Sequence, residues 1–172
     1  MAAMDLAARA TLLLALVLSP PLAAAGIPDP FRPMVVDAPF AMSERRFDLN
    51  PAIAKARAEK KLLFVYLGAS DCPYCVAYER FLRAHTQALL PVYERYVVVD
   101  IRTWLKGPKP TFLVGDRTYT FGDFNTAVGD RGPKSPRYPY FWILTPELKA
   151  KALPRGDGFY SDVGEHRRAL GG

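Results

Sequence analysis

The sequence predicts an α/β domain, a central β-sheet flanked by helices. Three observations lead there. Three short apolar runs rich in β-branched and aromatic residues, Leu62–Leu67, Tyr96–Ile101 and Tyr140–Leu144, have the length of buried strands. Stretches of helix-forming residues at helical spacing lie before and after the first of them. The composition is that of a globular protein: 172 residues, 50% hydrophobic, 12% aromatic and 23% charged, which excludes wholesale disorder.

The chain opens with a leader-like segment. Met1–Arg9 precedes an apolar run, Ala10–Leu18, then Ser19-Pro20-Pro21 and the small residues Leu22–Ala25. This is the layout of a secretory signal peptide over residues 1–25, with cleavage expected after Ala25. The apolar run is shorter than the roughly 20 residues that cross a bilayer, and no later stretch is longer, so no membrane span is expected once the segment is removed. An uncleaved N-terminal anchor is the competing reading. Export is therefore expected, to the periplasm if the source is a Gram-negative bacterium and otherwise to the exterior.

Residues 26–46 hold five prolines or glycines and no sustained periodicity, so they read as an extended leader to a domain spanning 47–172. Asn50-Pro51 starts a helix, with Asn as N-cap and Pro at the first helical position. Leu62–Leu67, closed by Gly68, is the first central strand. Ser70–Cys75 turns out of it and opens a second helix, whose first turn tolerates Pro73 because the missing N–H is no loss there. Cys75, Val76, Tyr78, Phe81 and Leu82 form its apolar face. Tyr96–Ile101 is the second strand. Between about 103 and 137 Gly and Pro interrupt the pattern, with a hairpin of Thr111–Val114 and Arg117–Phe121 around Gly115-Asp116. Tyr140–Leu144 is the third strand, Thr145–Lys149 a turn, Ala150–Leu153 an edge strand and Ser161–Leu170 a terminal helix.

Two cysteines and two histidines bound the chemistry. They cannot form a multi-bridge scaffold or a four-thiolate metal site. The formal charge of +6 survives removal of Arg9 and Asp5, but the basic residues are scattered, so a solvated surface is expected rather than a nucleic-acid site. Cys72-Pro73-Tyr74-Cys75 carries the signal. At the start of a helix, free backbone N–H groups and the positive end of the helix dipole favour the thiolate of the first cysteine. That thiolate attacks a disulfide and the second thiol resolves the mixed disulfide. Two alternatives stay open: a structural disulfide in a non-catalytic binding module, and a copper or zinc chaperone using the two thiolates. His85, late on the second helix, reads as a helix-end residue, and His166, in a basic tail, as solvated.

The stretch Asp48–Asp100 resembles the thioredoxin superfamily, above all exported thioredoxin-like proteins, through Leu62–Leu67, Gly68-Ala69-Ser70-Asp71 and Cys72–Cys75. The Pro-Tyr pair between the cysteines is similar to that of glutaredoxins. The resemblance covers roughly Asp48–Leu170 and implies a thioredoxin-like fold, a central mixed β-sheet flanked by helices, with an insertion at about 103–137 before the cis-proline strand. It places the family's cis-proline at Pro139, in a groove where Tyr138 presents backbone to an incoming substrate strand, with Pro73 and Tyr74 at the groove's edge. It implies a thiol–disulfide oxidoreductase that uses Cys72 and Cys75, holds no cofactor or metal, acts on exported thiol or disulfide proteins and is recycled by a redox partner. The sequence departs from the family at Tyr66, where thioredoxins carry a buried acid that assists proton transfer. It departs again in the 67 positions from Cys72 to Pro139, where the extra residues either contact substrate or form a surface insertion.

Overall fold

The computed structural model describes residues 25–38, 44–151 and 161–172. Two sheets and five helices build it. A five-stranded mixed sheet has the order β1-β4-β3-β7-β8. Its strands are β1 (Met34–Asp37), β3 (Leu62–Ala69), β4 (Tyr96–Thr103), β7 (Tyr140–Leu144) and β8 (Ala150–Lys151). β1 and β3 lie parallel to β4, whereas β7 runs antiparallel to β3 and β8 antiparallel to β7. The three apolar runs are thus the three inner strands, and burial on both faces explains why they do not alternate. A three-stranded sheet, β2-β5-β6, joins Arg45–Asp48, Pro110–Val114 and Arg117–Thr120.

The helices are α1 (Asn50–Glu59), α2 (Pro73–Ala84), α3 (Thr86–Tyr93), α4 (Phe121–Val128) and α5 (Val163–Ala169). α1 carries Pro51 in its first turn, but Asn50 is already helical and Leu49 is the cap residue. Asn50 instead exchanges side-chain hydrogen bonds with the backbone of Gly115, tying α1 to the β5–β6 turn.

One face of the main sheet packs on α1, the small sheet and α4. Its core includes Phe47, Ile53, Val65, Phe112, Phe121, Phe124 and Trp142. The other face packs on α2, α3 and α5, with Phe64, Tyr66, Tyr78, Phe81, Tyr93 and Phe141 at its centre.

Several sequence readings need correction. Within 26–46 the described residues, 26–38 and 44–46, pack into the fold rather than leading up to it: β1 forms a sheet edge, Arg45 and Arg46 begin β2, and Ile27 and Phe31 are core residues. β1 was hard to read because its burial alternates over only four residues. The hairpin expected around Gly115-Asp116 is β5–β6, but the region 103–137 is no surface insertion, since β5 and α4 supply Phe112, Phe121 and Phe124 to the core. α3 follows α2 after a break at His85. Val76 is exposed, and Glu79 takes its expected place on the buried face of α2. The residues 1–24 expected to form the signal peptide, and Ala152 and Leu153 of the edge strand, lie outside the described residues.

Candidate functional site

β3 ends at Ala69 and the chain turns through Ser70 and Asp71 into α2. Cys72 is the N-cap residue, with extended backbone, and Pro73 follows at the first helical position. The amide of Cys72 donates to the Ala69 carbonyl (3.0 Å), and its carbonyl accepts from Val76 N–H (3.1 Å). These bonds fix the turn and put both cysteines at the end of the central strand. Both are free thiols.

The structure brings together four of the six residues singled out by sequence. Cys72 Sγ donates to the carbonyl of Tyr138 at 3.6 Å, and the Tyr138–Pro139 bond is cis, the isomer the resemblance implies. Tyr138 packs against the small cluster of Ala69, Cys72 and Cys75. Pro73 and Tyr74 stand apart, exposed on the rim, Tyr74 with 75% of its surface open. Cys72, at the helix start where an open position was expected, is only 3% exposed, because Ala69 and Tyr138 close over it.

Cys75 lies one turn deeper and has no exposed surface. Burial pushes its thiol up to about 12, and the neighbouring Cys72 adds to this. The backbone N–H of Ala69, 3.3 Å from its sulfur, and the Tyr66 hydroxyl act the other way. Tyr66 occupies the position where an acid was noted as missing. Its hydroxyl donates to Glu79 Oε1 at 2.9 Å, so a buried carboxylate stands behind the dithiol after all. Burial, then the negative charges of Cys75 and Glu79, raise the phenol far above its ordinary range. Gly68 makes room for this arrangement, since a Cβ there would come 2.5 Å from the Tyr66 ring. Glu79 was legible in principle: it follows Cys75 by four residues and shares its helix face.

Arg45 is the second residue that sequence reasoning missed. Its buried guanidinium donates to Thr103 Oγ1 (2.6 Å), to the carbonyl of Trp104 (2.5 Å) and to that of Lys106, and it stacks 4.1 Å from the Trp104 ring. Arg45 thereby holds the 103–107 loop. Leu105 N–H donates to Asp71 Oδ1 at 2.7 Å, so that loop sits beside the cysteine turn and presents Trp104 and Leu105 to solvent. Burial pushes Tyr138 up to about 12, with Arg45 opposing the shift.

The histidines lie elsewhere. His85 is an exposed residue between α2 and α3, as expected of a helix end. His166 is buried, contrary to its expected solvation, with Nε2 2.8 Å from Tyr93 Oη. Helical spacing explains it: in α5 His166 faces Tyr78 and Phe81 of α2 and Tyr93 of α3, while Glu165 and Arg167 face out. Among the described residues no group of three or more His, Cys, Asp or Glu could hold a metal, and no helix is long and apolar enough to cross a membrane.

A dithiol at the start of the helix after the central strand, facing a cis-proline, defines a thioredoxin-like domain. A profile of the thioredoxin-like family matches residues 42–146, and the chain belongs to that family. No protein of curated function matches it.

Proposed function

We propose that this protein is an exported thiol–disulfide oxidoreductase acting on protein substrates. The observation that carries the reading is the pairing of Cys72, at the Tyr138 carbonyl, with Cys75 directly beneath it. In the reductive direction the Cys72 thiolate attacks one sulfur of a substrate disulfide. A Cys72–substrate disulfide forms and the other substrate sulfur leaves as a thiolate. Cys75 then attacks Cys72 Sγ, which forms the Cys72–Cys75 disulfide and releases the second substrate thiolate. Two electrons pass to the substrate, and a redox partner protein returns them; the oxidative direction is the reverse. Cys75 must lose its proton before it attacks, and the Tyr66 hydroxyl stabilises the resulting thiolate by turning its one proton from Glu79 to the sulfur.

Protein substrates are favoured over small molecules by the surface around the thiols. Concavities of about 490 and 440 Å³ include neither cysteine nor Tyr138 in their linings, whereas Tyr74 and Val76 of α2, and Trp104 and Leu105 of the loop bonded to Asp71, offer an exposed apolar rim. An extended peptide laid along Tyr138–Pro139 would meet that rim, a mode of strand addition. Export is supported by the leader-like layout of residues 1–25.

The test is equilibration of the purified protein with glutathione buffers of graded ratio. A reversible Cys72–Cys75 couple within the range spanned by thiol–disulfide enzymes, about −270 to −120 mV, is expected. A pair that stays oxidised far below that range is a structural disulfide. Stoichiometric Cu(I) or zinc on the reduced pair, without disulfide exchange, would instead mark a metal carrier.

A further inference from the structure

Among the described residues, burial begins at the Ala25–Gly26 bond. Ala25 is exposed, whereas Gly26, Ile27 and Pro28 are buried. Gly26 has φ +108, and a Cβ there would lie 2.3 Å from Asp100 Oδ2 and 2.6 Å from Arg102 Nε. A side chain there would have to adopt a strained backbone and push Asp100 and Arg102 aside. Ala25 and Gly26 also line a cavity of about 20 Å³, walled by Tyr66, Glu79, Asp100 and Arg102, which is room for one water-sized group.

Asp100 is fully buried in β4. Its Oδ2 accepts from Ile27 N–H (3.1 Å) and from Arg102 Nε (2.8 Å). Its Oδ1 has no hydrogen-bond partner among the described residues. Burial pushes the carboxyl up to about 6, against the opposing pull of Arg102 and Ile27. An orphaned carboxylate oxygen beside the point of chain entry calls for a donor there, because a buried acceptor left unpaired costs about 1–3 kcal/mol.

We propose that hydrolysis of the Ala25–Gly26 bond supplies that donor: the α-ammonium of Gly26 becomes the buried counter-ion of Asp100, with Glu79 as the second carboxylate across the cavity. A leader peptidase adds water to the bond, Ala25 leaves as a carboxylate, and the Gly26 nitrogen changes from an amide with one N–H to an ammonium with three. The inference shares with the export reading only the identity of the cut. The pocket lies one side chain behind the dithiol, through Glu79 and Tyr66, so processing would finish the polar support of the active site.

The charged and titratable groups facing the cavity are Tyr66 on β3, Glu79 on α2 with Arg83 3.5 Å from its other oxygen, and Asp100 and Arg102 on β4. The pH dependence follows from them. Before cleavage, the folded state keeps a proton on Asp100 that the unfolded chain loses, so stability falls as pH rises from about 4 to about 6. With the ammonium in place the carboxylate has its counter-ion and this loss shrinks. The gain is present below the unfolded amine's pKa of about 8 and is lost as pH rises through its higher folded value.

The full chain is prepared twice, once processed by an exporting host and once retained with its leader. Intact mass should place the processed start at Gly26; any other start overturns the proposal. The processed form should show its α-amine acylated at least about tenfold more slowly at pH 7 than that of a short Gly-Ile-Pro peptide, the equivalent of one unit of pKa. Its thermal midpoint should exceed that of the retained chain between pH 6 and 8, and Asp100→Asn should abolish the difference. Titration of the ¹⁵N-labelled Gly26 amine reads the same contact without a substitution. A Gly26 amine with peptide-like reactivity and titration overturns the proposal, and does so without touching the glutathione result on which the disulfide-exchange reading stands.

Discussion

Both faces of the central sheet are lined with aromatic residues, but the rings make different contacts on the two sides. On the α1 and α4 side, Phe47, Phe112, Phe121, Phe124 and Trp142 pack ring against ring, and the indole N–H of Trp142 finds Asn125 Oδ1 at 2.8 Å. On the α2 and α3 side tyrosines stand among the phenylalanines, and the tyrosines carry buried polar contacts. Tyr66 meets Glu79, while the Tyr78 and Tyr93 hydroxyls lie 2.8 Å apart and Tyr93 continues to His166. Buried polar groups are tolerated only when partnered, so a face that keeps this many has a use for them. The dithiol stands at the end of the polar face. The contrast predicts one layer that stabilises and another that tunes the thiols.

The largest effect expected belongs to the tuned face. Cys75→Ser should accumulate mixed disulfides with substrate proteins in the exporting host, because no second thiol remains to release them. Cys72→Ser should accumulate none, since Cys75 has no exposed surface. Non-reducing electrophoresis with mass identification of the bands reads both variants. Equal trapping by the two would reverse the assignment of attacking and resolving thiols.

Phe112→Ala probes the opposite face. Phe112 is fully buried between Phe47, Phe124 and Trp142, so its loss should cost about 3–5 kcal/mol in denaturant unfolding. The reduction potential of Cys72–Cys75 should stay where it was. A shift of 30 mV or more, about 1.4 kcal/mol for a two-electron couple, would show that the packing face also tunes the thiols and would break the contrast.

Tyr66→Phe should do the reverse. The hydroxyl favours the Cys75 thiolate, so removing it raises a thiol already pushed up to about 12. A smaller fraction is then ionised at any pH below that value. Resolution of a mixed disulfide should slow by about tenfold, the effect of one unit, and its rise with pH should move to more alkaline conditions. Stopped-flow measurement of substrate release against pH checks this. An unchanged pH profile would leave the tyrosine a packing residue.

How much of this was legible in the sequence depended on whether neighbours in the chain are neighbours in space. The inner strands announced themselves because burial on both faces forbids alternation in Leu62–Leu67, Tyr96–Ile101 and Tyr140–Leu144. The dithiol was legible because its chemistry lies within four residues, and Pro139 because it stands directly before a strand. Arg45 was invisible: it acts on Thr103, Trp104 and Lys106, some 60 positions away. Asp100 lay inside the Tyr96–Ile101 run with nothing beside it in sequence to mark it, since its partner Ile27 lies 73 positions earlier. Glu79 was hidden by Val76, whose apolar side chain suggested a slightly rotated buried face for α2. α4 was obscured by its glycines, although Gly129, with φ 79, is the stop signal of the helix.

The smallest expected effect decides what the 103–137 layer is for. Thr120 caps α4: its Oγ1 accepts from Asp123 N–H at 3.2 Å and donates to Asp123 Oδ2 at 2.7 Å. Thr120→Ala should cost about 1 kcal/mol, a fall of roughly 2–4 °C in thermal midpoint for a chain of this size, and Thr120→Ser should restore most of it. α4 also reaches toward the site, because Asn125 Nδ2 donates to the Pro133 carbonyl at 2.8 Å in the segment leading to Tyr138. Were the layer only a support for the packing face, Thr120→Ala in a Cys75→Ser background would leave the rate of mixed-disulfide formation unchanged. A fall in trapping larger than the loss of folded protein would make α4 the part of the insertion that holds the substrate groove in place. The 103–107 loop, anchored separately by Arg45, would then be a second support, and Arg45→Lys combined with Thr120→Ala would lower trapping further than either change alone.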